Sequence, residues 1–195
     1  MKGRHRSFDR QEVLKKAAHL FWQHGYSPTS LAQLTQAMGI HPPSLYNAFG
    51  GKEDLFLEVM RDYLAESDRW LRDTFARHDR VRNAIDCILK DTAAFMTDPS
   101  HPPGCLLSCG SVNLQSEDAR IARLMRESRR SREALLVRKL RLARRRNELP
   151  AHISPRGFAA YLYSLVQGMS AQARDGATRA QLEQVARLAM ECWPA

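Results

Sequence analysis

The sequence predicts an all-α protein: a three-helix unit at the N-terminus followed by a larger helical unit, roughly nine helices in total. Three observations carry this. Apolar residues recur at three- and four-residue spacing in nearly every segment. No segment alternates Val, Ile or Thr as a half-buried strand does. Capping residues and glycines punctuate the chain where such helices should begin and end.

The first helix opens at Asp9, an N-cap with Glu12 as its reciprocal partner, and Phe8 is placed to staple onto Val13. Val13, Leu14, Ala17, Ala18 and Phe21 form its apolar stripe, and Gly25 ends it. Thr29 or Ser30 caps the second helix, which carries Leu31, Leu34 and Met38 on one face and stops at Gly39. The segment "HPPSLYNAFG" follows. "GGKEDLF" then opens a long helix over residues 53–77 with acids in its first turn, as the helix dipole favours. Its buried side is expected at Val59, Tyr63, Trp70 and Leu71.

Over residues 80–97, Val81, Ile85, Ile88, Thr92 and Phe95 keep helical spacing. "DPSHPPG" is a loop. A helix is expected over residues 105–114 and a long one over 117–146. Beyond "NELPAHISP", helices over 155–174 and 179–192 are joined by "RDGAT" as a helical hairpin. Composition shifts near residue 50, which divides the chain into residues 1–52 and 53–195.

The formal charge of +9 points to a polyanionic partner. It is unevenly spread: residues 1–52 hold seven Lys/Arg against two Asp/Glu, and residues 115–150 hold twelve against five. No apolar run approaches the length of a membrane span, and no apolar stretch follows the basic start, so a soluble cytoplasmic protein is expected, with no membrane partner. Cys87, Cys105, Cys109 and Cys192 form no CxxC pair and read as reduced thiols. No cofactor or metal is expected. Enzyme chemistry is disfavoured because no nucleophile–base constellation, metal-spaced His cluster or glycine-rich phosphate loop appears; Glu58 and Asp62 read as surface charges.

Pro42 and Pro43 fit the first turn of a helix, where a missing N–H costs nothing. Leu45 and Phe49, four apart, then point into a core, while Ser44, Tyr46 and Asn47 point outward. With Gly39 ending the previous helix just before, the pair makes a helix-turn-helix; an ordinary helical hairpin is the alternative. Asn47 can read an adenine edge. The basic arm Lys2, Arg4 and Arg6 suits phosphates or a minor groove, or is a solubilising tail.

The residues "FWQHGYxxTSLAxL" and "GIxxxSLYxxFGxKExLF" resemble the DNA-binding domain of the tetracycline-repressor (TetR) family of bacterial transcriptional regulators. "GCLL" at residues 104–107 and "QGMSAQARDGAT" at residues 167–178 resemble a subgroup whose last two helices pair two subunits. The resemblance implies that Pro42, Pro43 and Ser44 face base edges, that Tyr46 and Lys52 contact phosphates, and that Thr29 and Ser30 contact the DNA backbone. Ala48 stands where many relatives have histidine, and "GRHR" lacks the proline that many carry after "GR". The two prolines make the reading tip apolar, which suits thymine methyls and recognition of DNA shape.

For the second unit, the resemblance implies a ligand cavity, with Trp70, Phe75, Phe95, Met96, Cys105, Cys109, Tyr161 and Tyr163 as candidates; each also reads as plain core. The apolar stripes of the last two helices, Phe158, Leu162, Leu165 and Met169 with Leu182, Val185 and Ala189, suit a dimeric four-helix bundle, with Gly168, Ser170 and Ala171 permitting close approach. An intramolecular hairpin is the other reading. Cys105 and Cys109, spaced for one helix face, read as small buried hydrophobes, as a redox or electrophile sensor, or as a soft-metal pair with His101 or Met96. The arginine-rich residues 126–146 read as an amphipathic helix with a solvated basic face. The expected function is a homodimeric regulator, a repressor, which binds a palindromic double-stranded DNA operator and is released by a small effector. The alternative is a dimer that binds DNA without a ligand.

Overall fold

The computed structural model describes residues 8–110, 114 and 118–194. Among these, nine α-helices and no strands are present: α1 Arg10–His24, α2 Leu31–Met38, α3 Pro42–Phe49, α4 Lys52–Arg77, α5 Val81–Met96, α6 Leu106–Cys109, α7 Ala119–Arg145, α8 Pro155–Arg174 and α9 Arg179–Glu191. No helix among them is long and apolar enough to cross a membrane.

The helix ends follow local chemistry. Asp9 caps α1 by accepting from the backbone N–H groups of Gln11 and Glu12. One expected detail differs: Glu12 pairs with Lys16 at 2.9 Å instead of closing the capping box. Phe8 packs against the apolar group that contains Val13 and also stacks on Phe49 of α3 at 6.4 Å. Full capping boxes open α2, through Ser30 and Gln33, and α9, through Thr178 and Gln181. Gly39 ends α2 at φ 68°, a left-handed turn that strongly favours glycine.

Of the helix expected over residues 105–114, the described residues show the four-residue α6, with Cys105 as its N-cap; residues 111–113 lie outside the described residues. Gly110 closes it in a tight place, where an added Cβ would lie 2.8 Å from the Leu106 carbonyl oxygen and 3.2 Å from the Phe56 ring. Residue 117, the expected start of the next helix, lies outside the described residues.

Two apolar clusters organise the chain. The first joins α1, α2 and α3 to the N-terminal half of α4 through Phe21, Leu34, Leu45, Phe56 and Met60. It also takes in Leu106 and Leu107 of α6 and Ile121 and Met125 of α7, so packing continues across residues 52 and 53. The second joins the end of α4 to α5, the C-terminal half of α7, α8 and α9. The long helices α4 and α7 contribute to both, which gives the N-terminal three helices a rigid seat on the rest of the molecule.

Candidate nucleic-acid interface

The surface formed by α2 and α3 is built from the turn outward. After Gly39, only Ile40 and His41 separate the two helices. His41, in an extended conformation, is the N-cap of α3, and Pro42 and Pro43 are its first two residues. Leu45, fully buried, and Phe49 anchor one side of α3 in the first cluster. The helical period then turns Pro42, Pro43, Tyr46 and Asn47 to the surface, with Ser44 half-buried. Tyr46 is 50 % exposed, unusual for so large a ring.

An arginine that the sequence reading did not single out holds this helix in place. Arg10, the first residue of α1, forms a two-pronged ion pair with Glu58 of α4; its Nη2–Oε2 bond is 2.9 Å. The same nitrogen donates to the Ala48 carbonyl oxygen at the end of α3, at 3.2 Å. The guanidinium lies 4.6 Å from the Phe49 ring centre. The basic, cap-adjacent position was visible in the sequence; partners 38 and 48 residues away were not.

Ser30 is exposed at the start of α2, where its hydroxyl accepts from the Gln33 N–H. Thr29 differs from the expectation. It is fully buried, and its hydroxyl donates to the Gly25 carbonyl oxygen at 2.6 Å, so it offers no group to a phosphate. Lys52 also differs. Its ammonium folds inward, 4.3 Å above the Tyr26 ring, and donates to the Ser27 carbonyl oxygen at 3.3 Å. Burial lowers its pKa, with nearby Asp118 opposing the shift. Burial, with Asp118, Glu53 and Asp54 adding to it, pushes the Tyr26 phenol up to about 12. Lys52 therefore clips the α1–α2 loop to α4. Arg4 and Arg6 lie outside the described residues.

The remaining candidates scatter. Phe75 and Met96 are packed in the second cluster. Trp70 is half-buried at its edge. Phe95 is partly exposed and packs against Trp22 at 5.7 Å and His101 at 4.5 Å, while Tyr161 is exposed. Tyr163 is half-buried, with burial raising its pKa. Cys105 and Cys109 do not form a pair facing one cavity. The Cys105 sulfur meets the Tyr63 hydroxyl at 3.1 Å, and the Cys109 sulfur lies 4.0 Å from the Ser170 hydroxyl. Burial first, then the Cys105 thiol, raises the Tyr63 pKa well above its usual value. Tyr63 packs edge-on against Trp22 of α1, whose other side stacks on His101 at 4.4 Å. Among the described residues, no three His, Cys, Asp or Glu side chains converge on a metal position.

The stripe expected to pair two subunits is largely internal. Leu162, Met169, Leu182 and Ala189 are buried within the chain's own second cluster and have no surface left for a partner. Phe158, Leu165 and Val185 are half-buried at its margin. The strongest periodicity in α8 and α9 marks the intramolecular side, because that side buries the most apolar area.

Residues 13–59 match the family model described as bacterial regulatory proteins, tetR family, and residues 78–189 match the tetracyclin repressor-like C-terminal domain. The chain belongs to the TetR family. It is 34 % identical over 197 residues to the HTH-type transcriptional repressor ComR of Escherichia coli (strain K12), covering 99 % of this chain and 92 % of ComR. Among solved structures, it resembles a cysteine mutant of the TetR family transcriptional regulator CifR complexed with 26 bp double-strand operator DNA. That match has a TM-score of 0.92 and 33 % identity, covering 98 % of this chain and all of the other. The reduced form of E. coli NemR matches with a TM-score of 0.79 and 25 % identity, covering 95 % and 98 %. For a TetR family chain, α2 and α3 are the helix-turn-helix pair, and the fold is that of a transcription regulator.

Proposed function

We propose that this TetR family protein is a homodimeric repressor that places α3 in the major groove of a palindromic operator and is released by a small effector. The observation that carries the reading is the seating of α3. Leu45, Phe49 and the Arg10 contacts fix one side, so that Pro42, Pro43, Tyr46 and Asn47 stand on the other. The structural likeness to CifR bound to operator DNA supports it. In this reading Pro42, Pro43, Ser44 and Asn47 face base edges, while Tyr46 and Ser30 contact phosphates. Lys52 supports the loop, and its amine reaches a phosphate only by leaving Tyr26. Arg4 and Arg6 are taken to supply further phosphate contacts.

Tyr46→Phe removes a hydroxyl from an exposed position. It is expected to weaken binding to specific and random duplexes alike and to leave the slope of log affinity against log salt unchanged, because the hydroxyl carries no charge and releases no counterion. Titrations at several salt concentrations check this. Loss on specific DNA only would assign Tyr46 to base reading instead.

The dimer surface in this reading is the outward stripe of α8 and α9: Tyr161, Ser164, Gly168 and Ala171 with Gln184 and Leu188, on the side of the pair away from the second cluster. Leu188 is 51 % exposed, and an added Cβ at Gly168 meets nothing within 4 Å inside the chain. Such a stripe lets two backbones approach closely across a two-fold axis.

A thiol-based release mechanism is favoured by one specific geometry. Cys105 touches Tyr63, and Tyr63 touches Trp22 in the helix that begins the reading head. CifR was studied as cysteine variants, and NemR in a reduced form. Alkylation of Cys105 would displace Tyr63 and loosen the seat of α1. Cys105→Ser is expected to bind operator normally yet to resist release by an alkylating electrophile in a gel-shift assay. Release equal to that of the parent protein would return Cys105 to a packing role.

A further inference from the structure

The charge excess at the end of α7 is not used by the reading head. Arg120, one residue into α7, pairs with Glu53 and Asp54 in the first turn of α4. From there α7 runs 27 residues, about 40 Å at 1.5 Å per residue, to the opposite end of the molecule. At that far end Arg141 and Arg144 of α7, the turn residues His152 and Ile153, and Pro155 and Arg156 of α8 line an open surface depression of about 370 Å³.

No Asp or Glu lines it. Among the described residues, none of the three arginines has an ion-pair or hydrogen-bond partner, in contrast to Arg146 beside them, which donates to the Asp79 carbonyl oxygen at 2.9 Å. The negative end of α7 accounts for Arg144. Nothing within the chain accounts for Arg156. It sits in the first turn of the 20-residue α8, a turn without an acid, where a cation meets the positive end of the helix dipole. The three guanidinium groups come from two helices, are exposed, and border one acid-free surface depression, so an anion there can meet all three.

The geometry points to a second ligand site, for a small molecule bearing a diphosphate or triphosphate group, held by Arg141, Arg144 and Arg156. Guanidinium forks bind phosphate oxygens two at a time, and three converging forks suit two linked phosphates better than one. The volume falls in the range of small-molecule sites. The arginines are grouped around one depression together with Ile153 and Pro155 and do not form a line along a helix, which favours a compact anion over a polymer that would follow a ridge.

The test uses the full-length protein at fixed ionic strength. Pyrophosphate and ATP are titrated calorimetrically in separate arms, with sulfate and a random 20-base-pair duplex as further arms. The double variant Arg144→Gln/Arg156→Gln is compared with Arg123→Gln, an α7 arginine outside the depression. The expected result is saturable binding of pyrophosphate or ATP, one per chain, weakened at least about tenfold in the double variant and unchanged in Arg123→Gln. The unliganded double variant should melt no lower than the parent, because neither side chain has an ion pair or hydrogen bond within the described residues to lose. Absence of saturable binding, equal binding to the double variant, or binding of the duplex alone overturns the proposal.

Discussion

Leu45→Ala is expected to abolish operator binding and to lower the unfolding midpoint. The reasoning begins with the length of α3. Eight residues are too few to be helical alone, so α3 exists because it is packed. Only Leu45 and Phe49 of its eight residues are buried, and Leu45 is the one with no exposure. Replacing a fully buried leucine by alanine costs about 2–5 kcal/mol, against a typical total of about 5–15 kcal/mol. The loss falls on the element that presents Tyr46 and Asn47, so binding should fail before the whole protein unfolds. Denaturant titration followed by circular dichroism, with gel shift on the same samples, measures both. Leu45→Met, which nearly conserves volume, should retain most of each. An alanine variant that still binds normally would mean that α3 is positioned by something other than its buried face.

Gly168→Gln is expected to separate folding from function in the opposite sense. Gly168 lies in the middle of α8 with ordinary helical geometry and open space around an added Cβ. Removing a glycine from a helix interior gains up to about 1 kcal/mol, so the isolated chain should be as stable as the parent or more so. If the stripe through Gly168 and Leu188 is the dimer surface, a long polar side chain there prevents the close approach of two α8 helices. Light scattering should then report single chains. Affinity for a two-half-site operator should fall by about 10²–10⁴, the gain that linking two weak heads provides. A variant that remains dimeric places the two-fold contact elsewhere.

Much of the reading head was legible because its signals are local. Ser30 with Gln33, Gly39, and Pro42 with Pro43 each act within a turn of their own position, and each sits where its chemistry requires. What was not legible depends on partners distant in sequence. Thr29 and Ser30 look equivalent as neighbouring hydroxyls; only packing shows that Thr29 is buried against Gly25. Lys52 looks like a free cation until Tyr26 and the Ser27 carbonyl fold beneath it. The role of Arg10 depends on Ala48 and Glu58 and has no local signature.

In α8 and α9 the apolar period identified a stripe correctly, but a period cannot say whether the surface opposite belongs to the same chain. Leu162, Met169, Leu182 and Ala189 turned out to be internal, which leaves the smaller and more polar residues outside. The helix expected from residue 105 is present but stops at Cys109, and the close approach of Phe56, more than fifty positions earlier, to Gly110 has no local signature.

The central claim is that two copies of α3 read one palindromic site. Selection of bound duplexes from a random pool by the full-length protein, followed by measurement of the stoichiometry on the enriched sequence, tests it most directly. The account predicts an inverted repeat with half-site centres about 34–36 Å apart, or a multiple of one helical turn, occupied by an even number of chains. Absence of any enriched sequence, or a single half-site bound by one chain as tightly as the full repeat, would contradict it.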